Sequence, residues 1–99
     1  MKVVAVTACT TGIAHTYMAA EQLEKTAQAL GHEIKVETQG AMGIENELSA
    51  SDIAAAQGVI FAADIEVERR ERFDHARVLE VPLQEAIKNP KGVFAKLGA

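Results

Sequence analysis

Lys2-Val3-Val4-Ala5-Val6-Thr7, followed after a short polar stretch by an amphipathic run opening at Ile13, sets the architecture of this chain. Six residues that are mostly β-branched and apolar predict a strand buried on both faces. From Ile13 the apolar positions step by three and four, through Tyr17, Ala20, Leu23, Ala27 and Leu30, while Glu21, Gln22, Lys25 and Gln28 fall elsewhere on the wheel. That is a helix with one core-facing stripe, and Gly31 stands where a left-handed terminus belongs. A strand, a tight turn and a helix make the first unit of an α/β fold.

Outward from that unit the pattern repeats. Glu33 to Thr38 alternates Ile34 and Val36 with Lys35 and Glu37, which predicts a half-exposed strand at the sheet edge. A loop, Gln39 to Gly43, follows it. Ser49 and Asp52 form a capping box, flanked by Leu48 and Ile53 as a hydrophobic staple, so a short helix should run to about Ala56. Gly58 to Ala63 reads as a third, buried strand ending at Asp64. Glu66 to Phe73 reads as a short charged helix, Arg77 to Val81 as a fourth strand, and Leu83 to Asn89 as a helix. Pro90 interrupts that helix before an apolar patch of Val93, Phe94 and Leu97.

The expectation is therefore a single-domain, three-layer αβα sandwich. Its four-stranded parallel sheet should be ordered 2-1-3-4, joined by right-handed crossovers. Ligands of such sheets bind beyond the carboxyl ends of the strands, where the order reverses. With strand 1 central, that place is the loop from Cys9 to Ala14.

Composition narrows the function. Among 99 residues the formal net charge is −4 and 48% are apolar, a balance that argues against non-specific nucleic-acid binding. No stretch reaches the ~20 apolar residues of a membrane span, and Met1 leads straight into a strand, which does not suit a signal peptide. The single cysteine cannot form an internal disulfide, so a cytoplasmic location is expected.

Chemistry concentrates in Cys9-Thr10-Thr11-Gly12-Ile13-Ala14-His15-Thr16. Backbone N–H groups at a strand-to-helix turn converge on one concavity, and the helix dipole adds positive potential. An anion fits there, with no metal or cofactor required. A thiol so placed has its nucleophilic thiolate form favoured. Gly12 allows backbone that a Cβ would hinder, and Thr10, Thr11 and Thr16 offer hydroxyl donors. His15, six positions after Cys9, should face the same pocket. The plainer readings are a packed core cysteine, a tight-turn glycine, and a capping histidine or threonine. Asp64 reads as a cap for the next helix, and His32 and His75 lie at the opposite edge.

The motif Cys9 to Glu21 resembles that of the B component of the bacterial phosphoenolpyruvate-dependent sugar phosphotransferase system, fructose class. The resemblance continues through Val36-Glu37-Thr38-Gln39-Gly40 and Ala62-Ala63-Asp64-Ile65-Glu66-Val67, so it spans roughly Met1 to Asn89 and implies one such domain over residues 1–99. Thr10 stands where the family usually has proline, which removes one preset backbone angle from the loop. The resemblance implies a phosphoryl carrier. A phosphohistidine on a IIA domain donates to Cys9, and the phosphocysteine donates to a sugar in a membrane-embedded IIC domain. The cradle would comprise Thr10, Thr11, Gly12, Ile13, Ala14, His15 and Thr16. Fructose is the class label, with mannose or another hexose as alternatives.

Two rivals share the loop. A low-molecular-weight tyrosine phosphatase needs Cys-x5-Arg, whose guanidinium clamps the phosphoryl group. His15 occupies that arginine position, and the chain has no Asp-Pro pair to supply the general acid. A non-catalytic regulator that binds a phosphorylated partner would not need Cys9. A redox role lacks a second, resolving cysteine.

Overall fold

The computed structural model describes residues 1–9 and 13–98. Its radius of gyration of 11.9 Å is close to the roughly 13 Å expected of one domain of this length. Lys2–Ala8 forms β1, Ile13–Ala29 forms α1 and Glu33–Gly40 forms β2. Gly43–Glu45 is β3, Ala50–Ala55 is α2, Gly58–Ala63 is β4 and Val78–Val81 is β5. Leu83–Lys88 and Pro90–Leu97 are α3 and α4, and a 3-10 turn at Arg70–Phe73 lies between β4 and β5.

The sheet has five strands in the order β3-β2-β1-β4-β5. Four of them pair in parallel in the expected sequence, with β1 between β2 and β4. The all-parallel, four-stranded expectation is corrected at one edge, where β3 pairs antiparallel with β2. Ala41 and Met42 turn the chain there, and Gly43, at φ +87°, takes the left-handed position that closes the hairpin. The second strand is therefore not the edge.

Alternation along the strands divides the core between two faces. Val3 and Ala5 of β1, Cys9 just beyond it, Val36 of β2 and Ile60 of β4 face Leu23 of α1, Leu83 of α3 and Phe94 of α4. Val4, Val6, Val59 and Phe61 face the other way, against Leu48, Val67 and Phe73. Each leucine or phenylalanine so enclosed contributes ~1.5–3 kcal/mol of transfer free energy. On α1 the buried stripe is Ala19, Ala20, Leu23 and Ala27, whereas Tyr17 and Leu30 of the expected stripe are exposed.

The capping box is as the sequence predicts. Asp52 N–H donates to Ser49 Oγ at 3.0 Å, and Ser49 N–H returns a bond to Asp52 Oδ2 at 2.9 Å. Lys35 Nζ and these Ser49 bonds hold the Asp52 carboxyl down at about 2. The charged helix expected over Glu66–Phe73 shrinks to the 3-10 turn, because Arg69 adopts φ +58° and breaks any helix before it. Phe73 of that turn meets Phe61 edge-on, with ring centroids 4.9 Å apart. Pro90 opens α4 rather than merely ending α3. It sits in the first turn, behind Asn89, whose Oδ1 accepts from Gly92 N–H at 3.2 Å.

Candidate functional site

Cys9 follows the last residue of β1, the central strand of the sheet, which has parallel partners on both sides. The chain leaves β1 for α1 and β2 on one side, and β4 and β5 extend on the other, so Cys9 stands at the reversal of strand order. Its N–H donates to the Gln39 carbonyl at 3.3 Å, and Asp64 N–H donates to the Ala8 carbonyl at 3.2 Å. These bonds tie the ends of β2 and β4 to the end of β1. The thiol is 4% exposed and lines a cleft of about 310 Å³. Gln39, Gly40, Ala41 and Gly43 form one wall, and Ile65, Glu66 and Glu68 the other.

The predicted cradle is described in part. Thr10, Thr11 and Gly12, and the side chain of Ile13, lie outside the described residues. The helix that follows begins at Ile13, four positions after the thiol. Ala14 and His15 are exposed on its first turn, and His15 is not among the described residues lining the cleft. Thr16 is turned inward. It is 1% exposed, its carbonyl accepts from Thr7 Oγ1 at 3.2 Å, and a Cβ on Gly40 would lie 3.3 Å from its hydroxyl. That close approach is what Gly40 permits. Asp64 does cap a helix, but a later one, since its Oδ1 accepts from Leu83 N–H at 3.2 Å at the start of α3.

Sequence reading missed the framework behind the cleft. Lys35, Glu37 and Gln39 share one face of β2, although the alternation put only the first two on a strand and left Gln39 to the loop, and each has a partner on a covering segment. Lys35 pairs with Asp52 at 2.8 Å. Glu37 is fully buried, with Arg72 Nη1 at 2.9 Å and Nη2 at 3.0 Å on its two carboxylate oxygens. Leu48 N–H and Gln39 Nε2 add bonds of 2.8 and 2.7 Å. Burial pushes the Glu37 carboxyl up, but the bonds from Arg72, Leu48 and Gln39 and the Arg72 charge outweigh it, so the group lies below its ordinary value. Glu37 in turn holds Arg72 above its ordinary value. The alternating pattern reads Glu37 as outward-facing, so nothing local in the sequence signalled its burial.

A larger groove of about 440 Å³ lies between α2 and the 3-10 turn, with Ile53, His75 and Ala76 in its lining. The Arg72 guanidinium at its floor is engaged by Glu37, so this groove offers little chemistry. Four exposed apolar side chains instead belong to the segments around Cys9, namely Tyr17 and Met18 on α1, Met42 in the hairpin turn and Ile65 after β4. No helix among the described residues is long and apolar enough to cross a membrane.

Residues 4–96 match the family described as "PTS system, Lactose/Cellobiose specific IIB subunit". The chain is 49% identical over 98 residues to "PTS system fructose-like EIIB component 2" of Escherichia coli (strain K12), covering 99% of this chain and 92% of that protein. It is 48% identical over 98% of its length to a segment making up 20% of the "Fructose-like PTS system EIIBC component" of the same strain. Among solved structures it superposes on the "Predicted Fructose Specific IIB" of Escherichia coli with a TM-score of 0.93 and 41% identity, covering 98% of this chain and 86% of that one. With fold, strand-end cysteine and whole-length similarity in agreement, the chain belongs to the IIB components of the phosphotransferase system, in their fructose-like class.

Proposed function

We propose that residues 1–99 form one IIB domain that carries a phosphoryl group on Cys9 between a phosphohistidine donor and a sugar. The carrying observation is the position of the thiol, at the carboxyl end of the central strand, beside a cleft and four residues before α1 begins. In the first step the Cys9 sulfur attacks phosphorus as the N–P bond of a IIA phosphohistidine breaks, and imidazole leaves. In the second a sugar hydroxyl attacks the same phosphorus in a membrane IIC domain. The S–P bond breaks, the thiolate returns, and the hydroxyl proton goes to a base of the acceptor site or to water.

Amides of the loop and helix start stabilise the transferring oxygens in this reading, with Thr10, Thr11, Gly12, Ile13, Ala14, His15 and Thr16 as the cradle and no metal or cofactor involved. The activity is that of a protein-phosphohistidine–sugar phosphotransferase. Fructose is the first candidate, because relatives of near-50% identity carry fructose-like names, which outweighs the lactose and cellobiose of the broader family description. The domain would work in the cytoplasm at the inner membrane face, held there through IIC.

Incubation with a radiolabelled phospho-IIA donor tests this. Wild type should take up one phosphate, on Cys9, and pass it to sugar in the presence of IIC membranes. Cys9→Ala should take up none. Label on His15, or undiminished uptake by Cys9→Ala, would overturn the assignment.

A further inference from the structure

Both side-chain N–H donors of Gln39 are in use, and its amide oxygen accepts as well. Nε2 donates to Glu37 Oε2 at 2.7 Å and to the Glu68 carbonyl at 3.1 Å, while Oε1 accepts from Glu68 N–H at 2.8 Å. The partners fix the orientation, because a flipped amide would turn its oxygen onto a carboxylate and a carbonyl. With Glu68 the side chain makes the two-bond exchange that a neighbouring strand would make. Glu68 lies outside regular structure, next to left-handed Arg69, so no ladder holds it in place. Meanwhile the Gln39 backbone carbonyl accepts from Cys9 N–H. One residue, 5% exposed, thus joins the thiol-bearing end of β1 to both walls of the cleft. Glu37 and Arg72 brace it from behind, Arg72 reaching the Glu68 carbonyl at 3.4 Å and the Arg69 carbonyl at 2.9 Å.

We propose that Gln39 is a positioning residue for transfer through Cys9, its amide holding the Ile65–Glu68 wall in register with the thiol. The role in transfer rests on the carrier reading above. An incoming phosphoryl group must meet sulfur in line and at close range, and a wall displaced by about an ångström can cost ~10²-fold in rate. Without the amide, Glu68 N–H loses its acceptor and the wall its direct tether to β2, leaving only the longer Arg72 contact.

The test uses the full chain with Gln39→Ala and Gln39→Met, and Ser49→Ala as a destabilised control away from the cleft. Methionine keeps the stem and volume of Gln39, so it decides the outcome should the alanine variant fail to fold. Two quantities are read: transfer from a phospho-IIA donor, and alkylation of Cys9 by iodoacetamide. Both Gln39 variants should lose about 10- to 100-fold in maximal transfer rate, with donor half-saturation changed by less than about threefold. Cys9 alkylation should accelerate in both, because a loosened wall uncovers a thiol now 4% exposed, and Ser49→Ala should change neither quantity. Unchanged alkylation, or a loss confined to half-saturation, would overturn the clamp and leave the carrier reading standing. Wild-type label on a residue other than Cys9 would overturn the carrier reading and the role of Gln39 in transfer with it.

Discussion

Replacing Arg72 by methionine removes a guanidinium and leaves its aliphatic stem. The Glu37 carboxylate beneath it is fully buried and receives four hydrogen bonds, two of them from Arg72. The variant keeps the Leu48 and Gln39 donors but leaves the negative charge without its counter-ion. Breaking a buried pair from one side costs ~3–5 kcal/mol, and two surviving donors place this case near the lower end, at about 3 kcal/mol. A domain of this length shifts by roughly 4–8 °C per kcal/mol, so a drop of about 12–24 °C is expected at neutral pH.

The pH dependence separates a stranded charge from lost packing. In wild type the Glu37 carboxyl is lowered, so its contribution is present above its unfolded value and is lost as pH falls through the folded one. In Arg72→Met burial without a counter-charge raises it, so the variant gains relative stability as pH falls and the carboxyl protonates. The deficit should therefore be largest near pH 7 and shrink towards pH 4.5, measured by urea unfolding at each pH. Adding Glu37→Gln to the variant should recover most of the loss at pH 7. A deficit under about 1 kcal/mol, or one equal at both pH values, would refute the stranded-charge reasoning.

Three further outcomes are expected. His15→Ala should keep the fold and the phosphocysteine but slow transfer by up to ~10²–10³-fold if the imidazole donates to the transferring oxygens; a wild-type rate in rapid-quench assays would make the side chain structural. Ser49→Ala should lower stability by about 1 kcal/mol in chemical denaturation through loss of the reciprocal cap, with transfer unchanged. Gly92→Ala should fail to deliver the roughly 1 kcal/mol that alanine's better helix propensity offers, as read by chemical denaturation, because the new Cβ would lie 2.2 Å from Asn89 Nδ2 and displace the cap of α4.

Features that depend on neighbours in sequence were legible. β1 and β4 are runs of apolar residues enclosed on both faces, α1 has its periodic stripe, and the Ser49–Asp52 cap closes within three residues. The position of Cys9 at the end of the central strand was legible for the same reason, since β1 and α1 are close neighbours in sequence. Two of the misses depend on distant partners. Glu37 in an alternating strand reads as solvent-facing, and only Arg72, 35 positions later, makes its burial tolerable. Glu66 to Phe73 has good helix formers, yet the Glu68 peptide is paired with Gln39, 29 positions earlier, and Arg69 turns left-handed. β3 is three residues long, too short to carry a periodic signal.

A carrier differs from a hydrolase in what it denies to water. Both need a thiolate and a cradle of donors, but hydrolysis also needs an acid to protonate the departing group and a side chain to orient the attacking water. Asp64, just after β4, is tied to the end of β1 by its backbone N–H, which donates to the Ala8 carbonyl. Its Oδ1 accepts from Leu83 N–H, which places that oxygen at the start of α3. Glu66 and Glu68 on the cleft wall are exposed. Their charge opposes entry of free phosphate dianion from solution, whereas a phosphoryl group presented by a docked donor arrives already positioned, with its approach determined by protein contacts. A cleft of this kind favours transfer between macromolecules over exchange with solvent, which is the property that a covalent relay requires.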